Sequence, residues 1–187
     1  MSDAANPFQK LLATTYNDAP ELGPGPRAGV TPLTELNRQI DAALARLAPA
    51  ASAREHLRAL ILLWHDHHDA AHQIVQDIEN SDGSYLHAIL HRREPDFDNA
   101  RYWFRRVGRH VCYANLAERT ETFLRTTPAS QLAAKLLLRG EWDAIAFVGA
   151  CEEIKDRPDT DAQTSLLRAI QAIEFEVLLD HLTDKLR

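Results

Sequence analysis

Two neighbouring histidine-rich stretches, WHDHHDAAH at residues 64–72 and YLHAILHRRE at residues 85–94, decide how the rest of the chain is interpreted. They contain six of the nine histidines in the sequence. The link between them, residues 79–84, consists mostly of Asn, Ser, Asp and Gly, which favour turns. We therefore predict two antiparallel helices joined by a tight connection, with residues equally far from the turn lying side by side.

Helical spacing places the histidines of each stretch on one stripe of its predicted helix. Residues at i, i+3, i+4 and i+7 lie on the same side of an α-helix. On the first helix this set is His65, His68, Asp69 and His72, and on the second it is His87, His91 and Glu94. If the two stripes face each other, imidazoles and carboxylates from both helices converge.

Imidazole and carboxylate groups are the ligands that divalent metals such as zinc, iron and manganese accept. Helix bundles build such sites from inward side chains on facing helices. The predicted metal ligands are His68, His72, His87 and His91, and Asp69 and Glu94 are predicted to act as catalytic bases or as further ligands. The alternative is a metal-free core in which hydrogen bonds satisfy the same histidines. No paired Glu-x-x-His signature is present, which disfavours a ferritin-like centre.

A basic segment follows the second stretch. Residues 91–110 contain six arginines and three carboxylates, whereas the whole chain has a net charge of −6. Arginine forks bind phosphate or carboxylate in bidentate fashion, and nearby aromatic rings can stack on a planar ligand. An anionic small molecule held by Arg92, Arg93, Tyr102 and Arg105 is therefore predicted. The alternative is that these arginines pair with neighbouring carboxylates or lie on a solvated helix surface.

Composition indicates one globular domain. The 187 residues are 45% hydrophobic and 26% charged, which is ordinary for a chain with a sizeable core. The acidic net charge argues against general nucleic-acid binding. The longest strictly apolar run, Ala59 to Trp64, is too short to span a membrane. The first residues do not resemble a signal peptide, and two distant cysteines fit a reducing cytoplasm. The oligomeric state is left open, a homodimer included.

Apolar residues recur at helical spacing, and no segment alternates apolar and polar residues over strand length. We predict an all-α, single-domain helical bundle of about seven to eight helices at residues 31–187. A Pro- and Gly-rich extended arm at residues 1–30 precedes it and is excluded from the core. Within the arm, residues 8–16 are a candidate short helix that docks through Phe8, Leu11 and Leu12. The predicted helices cover residues 31–47, 52–78, 84–93, 96–108, 112–124, 127–140, 141–154 and 161–185.

Residues 85–108, YLHAILHRREPDFDNARYWFRRVG, resemble a signature of uncharacterised bacterial and fungal proteins. Residues 64–72 and 142–152 look similar as well, so the resemblance spans about residues 55–180. It implies no established activity. In such sequences we expect Lys where Arg101 stands and Pro where Val111 stands, and the second difference leaves the path of the chain after His110 open.

The function predicted from these features is a metal-dependent hydrolase or lyase that acts on an anionic small molecule in a pocket lined by His, carboxylate and Arg. The alternative is a non-catalytic ligand-binding or interaction protein whose His and Arg network is structural. The His-Asp steps at residues 65–66 and 68–69 resemble the HD phosphohydrolase pattern. That pattern needs a separate upstream histidine, and His56 lies too close on the same predicted helix.

Overall fold

The computed structural model describes residues 8–14, 19–45, 51–127, 129–158 and 160–186. These residues form nine α-helices, one short 3-10 helix (Gln9–Leu12) and a two-stranded antiparallel sheet. The helices are α1 (Leu33–Leu44), α2 (Ala51–Trp64), α3 (His68–Val75), α4 (Ser81–Arg93), α5 (Phe97–Val107), α6 (Cys112–Arg125), α7 (Ser130–Leu136), α8 (Ala144–Glu153) and α9 (Ala162–Asp184). The predicted all-α single-domain fold is confirmed.

Helix α4 lies at the centre of the molecule. Every residue from Asp82 to Arg93 is buried, as expected of a helix that is surrounded on all sides. It packs against α2, α3 and α5, while the long helix α9 packs against α2, α6 and α8. Because α4 carries two histidines, two arginines and Asp82 into the interior, each of these polar groups needs a partner inside the protein.

The tight connection between α3 and α4 is confirmed. Helix α3 ends at Val75 and α4 begins at Ser81, one turn earlier than predicted. The side chain of Asn80 caps α4 by accepting a hydrogen bond from the Gly83 backbone N–H, which satisfies one of the free donors at a helix start. Gly83 lies against Ile78, and a Cβ at that position would overlap the isoleucine side chain.

The predicted continuous helix over residues 52–78 is wrong. The structure divides it into α2 and α3 at residues 65–67, where Asp66 has a φ of 61°. Asp66 adopts this left-handed conformation because its buried carboxylate accepts hydrogen bonds from Arg27 and Arg93, and Asp tolerates such a φ better than most residues. The break removes His65 from the stripe that carries His68 and His72.

The predicted helix over residues 127–140 is wrong in its second half. Helix α7 ends at Leu136 and is followed by a hairpin of strands β1 (Leu137–Leu138) and β2 (Glu141–Trp142). Its turn residues, Arg139 and Gly140, have φ values of 56° and 79°, as a type I′ turn requires. Strands of two residues are too short to show alternation in the sequence. The predicted helix from residue 141 accordingly begins at Ala144, where Asp143 provides the cap.

The N-terminal arm is less separate from the helical domain than predicted. Phe8 is fully buried in the core and Leu12 is nearly so, and the 3-10 helix between them contacts α1 and α2. The short helix predicted over residues 8–16 ends earlier, at Leu12, because Ala13 is extended. The last predicted residues of this helix, 15 and 16, and the predicted end of the first helix at Leu47 lie outside the described residues. Among the described residues, no helix is both long and apolar enough to cross a membrane.

Candidate metal centre

Three of the four predicted metal ligands converge between α3 and α4. His72, His87 and His91 each present one ring nitrogen, and these nitrogens all lie within 4.8 Å of one another. The Nε2 atoms of His72 and His87 are 3.1 Å apart. Two nitrogens bound to one ion at about 2.0–2.1 Å are separated by about 2.9–3.4 Å for octahedral to tetrahedral angles. The separation of His72 and His87 therefore matches that of two ligands of one metal.

Burial keeps the two histidines of α4 uncharged. Burial, together with the smaller effect of the neighbouring His91 and His72, lowers the pKa of His87 to about 3. Burial also lowers the pKa of His91, although the nearby carboxylates of Glu94 and Asp96 oppose the shift. Both rings are therefore neutral at pH 7, and a neutral imidazole carries the lone pair that a metal ion requires.

The rings are held in place by groups on α4 and α5. Trp103 stacks on His87 with ring centroids 4.0 Å apart, and His91 stacks on the same imidazole at 4.7 Å. Asn99 lies within hydrogen-bond distance of His91, its Nδ2 being 3.1 Å from Nε2. The carboxylate of Glu94 approaches Nδ1 of His91 to 3.2 Å, without the alignment of a hydrogen bond. Histidines that bind metals often have such a carboxylate beside the second ring nitrogen.

His68, the fourth predicted ligand, does not join the other three. It lies one turn before His72 on α3 and is 8% exposed. Neither of its ring nitrogens has a hydrogen-bond partner among the described residues. Burial lowers the pKa of His68 to about 4, with a further contribution from the positive charge of Arg93. A buried neutral imidazole with two unsatisfied nitrogens is energetically costly unless something else binds it.

The two predicted catalytic carboxylates lie near the histidines but play different parts. Glu94 follows α4 directly and touches His91, so it is placed to orient that ring. Asp69 is exposed on the first turn of α3, three residues before His72. Both residues line a cavity of about 390 Å³ that His68 also lines. The carboxylates therefore border the histidine site without lying inside it.

Arg92 and Arg93 are fully buried and already paired. Arg92 donates hydrogen bonds to Glu174 and Gln171, and its guanidinium lies 4.4 Å from the centre of the Phe147 ring. Arg93 forms an ion pair with Asp66 at 2.6 Å and donates to the backbone carbonyls of residues 21, 23 and 63. Both charges are neutralised inside the protein, and these contacts tie together α4, α9 and the N-terminal arm.

The other two predicted ligand-binding residues, Tyr102 and Arg105, lie on the outer face of α5. Tyr102 is 50% exposed and packs edge-on against Trp103. Arg105 is exposed. The guanidinium of Arg106 lies 5.2 Å from the Trp103 ring. The four residues predicted to bind an anion therefore do not form one site, because Arg92 and Arg93 are buried whereas Tyr102 and Arg105 lie at the surface.

A second polar cluster was not predicted. The carboxylate of Asp82 accepts hydrogen bonds from His110 and His181, each at 2.9 Å, and from Lys185 at 2.5 Å. One nitrogen of His110, His181 and the sulfur of Cys112 also lie within 4.8 Å of one another. Both ring nitrogens of His110 are occupied, since Nδ1 accepts from the Cys112 backbone N–H. Asp82 belongs to α4, Cys112 to α6 and His181 to α9, while His110 precedes α6 and Lys185 follows α9. No local spacing relates these residues, so the cluster could not be predicted from the sequence.

The difference between the two groups of histidines lies in hydrogen bonding. The Asp82 cluster satisfies its imidazoles through a carboxylate and a backbone N–H. By contrast, Nδ1 of His87 and both ring nitrogens of His68 have no hydrogen-bond partner among the described residues. Comparisons of the chain with protein-family models, with curated proteins and with solved structures found no match. The functional interpretation therefore depends on the geometry of the residues themselves.

Proposed function

We propose that this protein is a metal-dependent enzyme, a hydrolase or lyase, whose divalent metal is held by His72, His87 and His91. The observation that carries the proposal is the approach of three ring nitrogens to within 4.8 Å, with two of them 3.1 Å apart. Zinc, iron and manganese all accept imidazole nitrogen, and a set of three histidines without a thiolate suits each of them.

The number of ligands supports catalysis rather than a purely structural ion. Structural zinc sites are usually closed by four protein ligands, whereas catalytic sites keep a position open for water or substrate. When a metal is bound with such an open position, it supplies Lewis-acid chemistry and activates water. His72 is the most exposed of the three histidines, so the open position is expected on its side.

Groups beside the histidines fit this role. Glu94 contacts Nδ1 of His91, and Asn99 lies 3.1 Å from Nε2 of the same ring, so metal binding through Nε2 would replace the Asn99 contact. Trp103 packs flat against His87 and limits the orientations of that ring. Asp69, one turn before His72 on α3, is proposed to accept a proton from an attacking water. These contacts restrict the orientations of the histidine rings before a metal binds, so metal binding costs less side-chain entropy.

The arginines do not favour an anionic substrate at this site. Arg92 and Arg93 are neutralised by Glu174 and Asp66, and Arg105 and Tyr102 lie on the outer face of α5. We therefore propose the metal chemistry without the anion-binding role predicted for these four residues. The two buried residues, Arg92 and Arg93, instead fix the position of α4 against the elements that surround it.

A second candidate is a non-catalytic protein whose histidines form a metal-free network. One observation favours it, because a separation of 3.1 Å is also normal for an N–H···N hydrogen bond between His72 and His87. In that case His72 and His87 share one proton, and Asn99 donates to His91. Within the described chain, Nδ1 of His87 lacks a partner in either arrangement, so metal binding is preferred because a third ring nitrogen, that of His91, converges with the other two within 4.8 Å.

The test is metal binding by protein purified without a histidine tag. Chelator-treated protein is titrated with Zn²⁺, Mn²⁺ and Fe²⁺ by calorimetry, and bound metal is counted after dialysis. We expect one ion per chain, lost in His87→Gln and His91→Gln. His67→Gln is the matched control, because His67 bonds the Thr31 carbonyl instead. No binding by the wild type, or unchanged binding by both variants, would contradict the proposal.

A further inference from the structure

Asn99 reaches the histidine site from a third helix. Its side-chain Nδ2 lies 3.1 Å from Nε2 of His91. Asn99 belongs to the first turn of α5, and Trp103, one turn later on the same helix, stacks on His87. Since His87 and His91 are also one turn apart on α4, two successive turns of α5 meet two successive turns of α4. The packing of the two helices therefore places the amide of Asn99 at the site.

The surroundings of His91 determine which of its ring nitrogens carries the proton. The carboxylate of Glu94 lies 3.2 Å from Nδ1, and a carboxylate can only accept hydrogen bonds. Burial lowers the pKa of His91, so the neutral ring has a single proton. That proton belongs on Nδ1, and the lone pair on Nε2 accepts the N–H of Asn99. In the metal-free protein, Asn99 thus occupies the lone pair that a metal ion needs.

The amide of Asn99 also carries an oxygen that a metal ion can bind. Its outer atom is 3.1 Å from a histidine nitrogen, which lies within the separation of about 2.9–3.4 Å expected for two atoms bound to one ion. The nitrogen and oxygen of an asparagine amide are nearly equal in size, and rotation about the last side-chain bond exchanges them. One such rotation removes the competing donor from His91 and presents Oδ1 in its place.

We propose that Asn99 is a fourth residue of the metal site, whose N–H holds His91 in the metal-free protein and whose Oδ1 binds the ion. This inference rests on the proposed function, because it adds to the ligand set of His72, His87 and His91. Four protein ligands close a tetrahedral zinc site, whereas six-coordinate Mn²⁺ or Fe²⁺ keeps two positions for water and substrate. The inference therefore assigns Mn²⁺ or Fe²⁺ as the functional metal.

Calorimetric titration of the chelator-treated full chain with Mn²⁺ tests the role of Asn99. Asn99→Leu removes both amide atoms at nearly constant size. We expect it to weaken Mn²⁺ binding by about tenfold or more, since loss of an outer partner alone costs about 10–100-fold. If the amide only competed with the metal for Nε2 of His91, the same variant would bind Mn²⁺ more tightly. Asn115→Leu, at an exposed position on α6, is the control and should leave the affinity unchanged.

Two further measurements keep the test decisive if the leucine variant folds poorly. Asn99→Asp keeps the size of the side chain and an oxygen that suits Mn²⁺, so it should bind this ion at least as tightly as the wild type. In the metal-free wild type, ¹⁵N spectra of the histidine rings should show His91 protonated on Nδ1. Unchanged or tighter Mn²⁺ binding in Asn99→Leu, weaker binding in Asn99→Asp, or a proton on Nε2 of His91 would overturn the inference.

The same titrations separate this inference from the proposed function. Mn²⁺ binding that is lost in His87→Gln but unchanged in Asn99→Leu would retain the site of three histidines and overturn only the role of Asn99. Binding that is lost in His87→Gln and weakened in Asn99→Leu would support both. A wild type that binds none of Mn²⁺, Fe²⁺ and Zn²⁺ would overturn both.

Discussion

Glu94 lies 3.2 Å from Nδ1 of His91, on the side of the ring that turns away from Nε2. A carboxylate in this position fixes the ring and raises its basicity as a metal ligand. The contact joins the proposed metal site to the cavity lined by His68, because Glu94 belongs to both. In the proposed site, Glu94 therefore affects the orientation and basicity of His91 without being a metal ligand itself.

We therefore expect Glu94→Gln to weaken metal binding without abolishing it. The amide keeps the size of the side chain but loses the charge that supports the ring. Loss of such an outer partner typically costs 10–100-fold in metal affinity. Calorimetric titration with Zn²⁺ measures the change. Glu121→Gln, at an exposed position on α6, is the control, and equal affinities in the two variants would show that Glu94 has no such role.

Replacing His68 by an apolar residue should not destabilise the ligand-free protein. His68→Leu removes two buried nitrogens that lack partners, so we expect a free energy of unfolding equal to that of the wild type or about 1 kcal/mol higher. His65→Leu removes bonds to the Leu11 carbonyl and the Thr31 N–H and should cost about 1–3 kcal/mol. Urea denaturation gives both values. A large loss in His68→Leu would indicate a structural role for that ring.

The arginines should separate into structural and surface groups. Arg93→Met leaves the buried Asp66 carboxylate with only Arg27 as its cationic partner, and we expect a loss of about 3–5 kcal/mol in the free energy of unfolding. Arg105→Met, at an exposed position on α5, should change it by less than about 0.5 kcal/mol. Similar losses in the two variants, measured by urea denaturation, would contradict the assignment of Arg93 to the structural group.

Acid should destabilise the protein through Asp82. Burial would raise the pKa of this carboxyl group, but hydrogen bonds from His110, His181 and Lys185 outweigh burial and hold the pKa far below its ordinary value. A carboxylate with a lowered folded-state pKa stabilises the protein above its unfolded pKa, and that stabilisation is lost as the pH falls towards the folded value. The loss attributable to Asp82 should therefore begin below about pH 4.

Asp82→Asn tests this expectation. The variant should be less stable than the wild type at pH 7, and its free energy of unfolding should fall less steeply below about pH 4. Denaturation curves at several pH values measure both effects. Cys112, Tyr85 and Tyr113 also lie beside the cluster, and burial raises the pKa of each, so they stay protonated throughout. If the free energy of unfolding falls equally steeply in acid for the variant and the wild type, Asp82 does not cause the acid sensitivity.

Local signals in the sequence predicted most of the fold. Apolar spacing located the helices, and α5, with Asp96 as its cap and Gly108 after its last turn, agrees with the helix predicted over residues 96–108. Equal distances on either side of a short turn predicted that His72 lies beside His91, and His87 was predicted to join them because it lies one turn from His91 on the same stripe. These features depend on neighbours within one or two helical turns, so they can be read from the chain alone.

The errors share a physical cause, which is dependence on distant residues. The break at Asp66 requires Arg27 and Arg93, which are 39 and 27 positions away. The burial of Arg92 depends on Glu174, 82 positions away. Nothing in the local pattern distinguishes an arginine that pairs inside the core from one that faces solvent. The same limit concealed the Asp82 cluster, whose members meet only after three helices have packed.

The most direct test is a crystal structure of tag-free protein equilibrated with Zn²⁺, with diffraction data collected on both sides of the zinc absorption edge. The account predicts an anomalous peak within bonding distance, about 2.0–2.1 Å, of a ring nitrogen of His72, His87 and His91. Nε2 atoms of His72 and His87 still at hydrogen-bond distance, with no anomalous peak at the three rings, would contradict it.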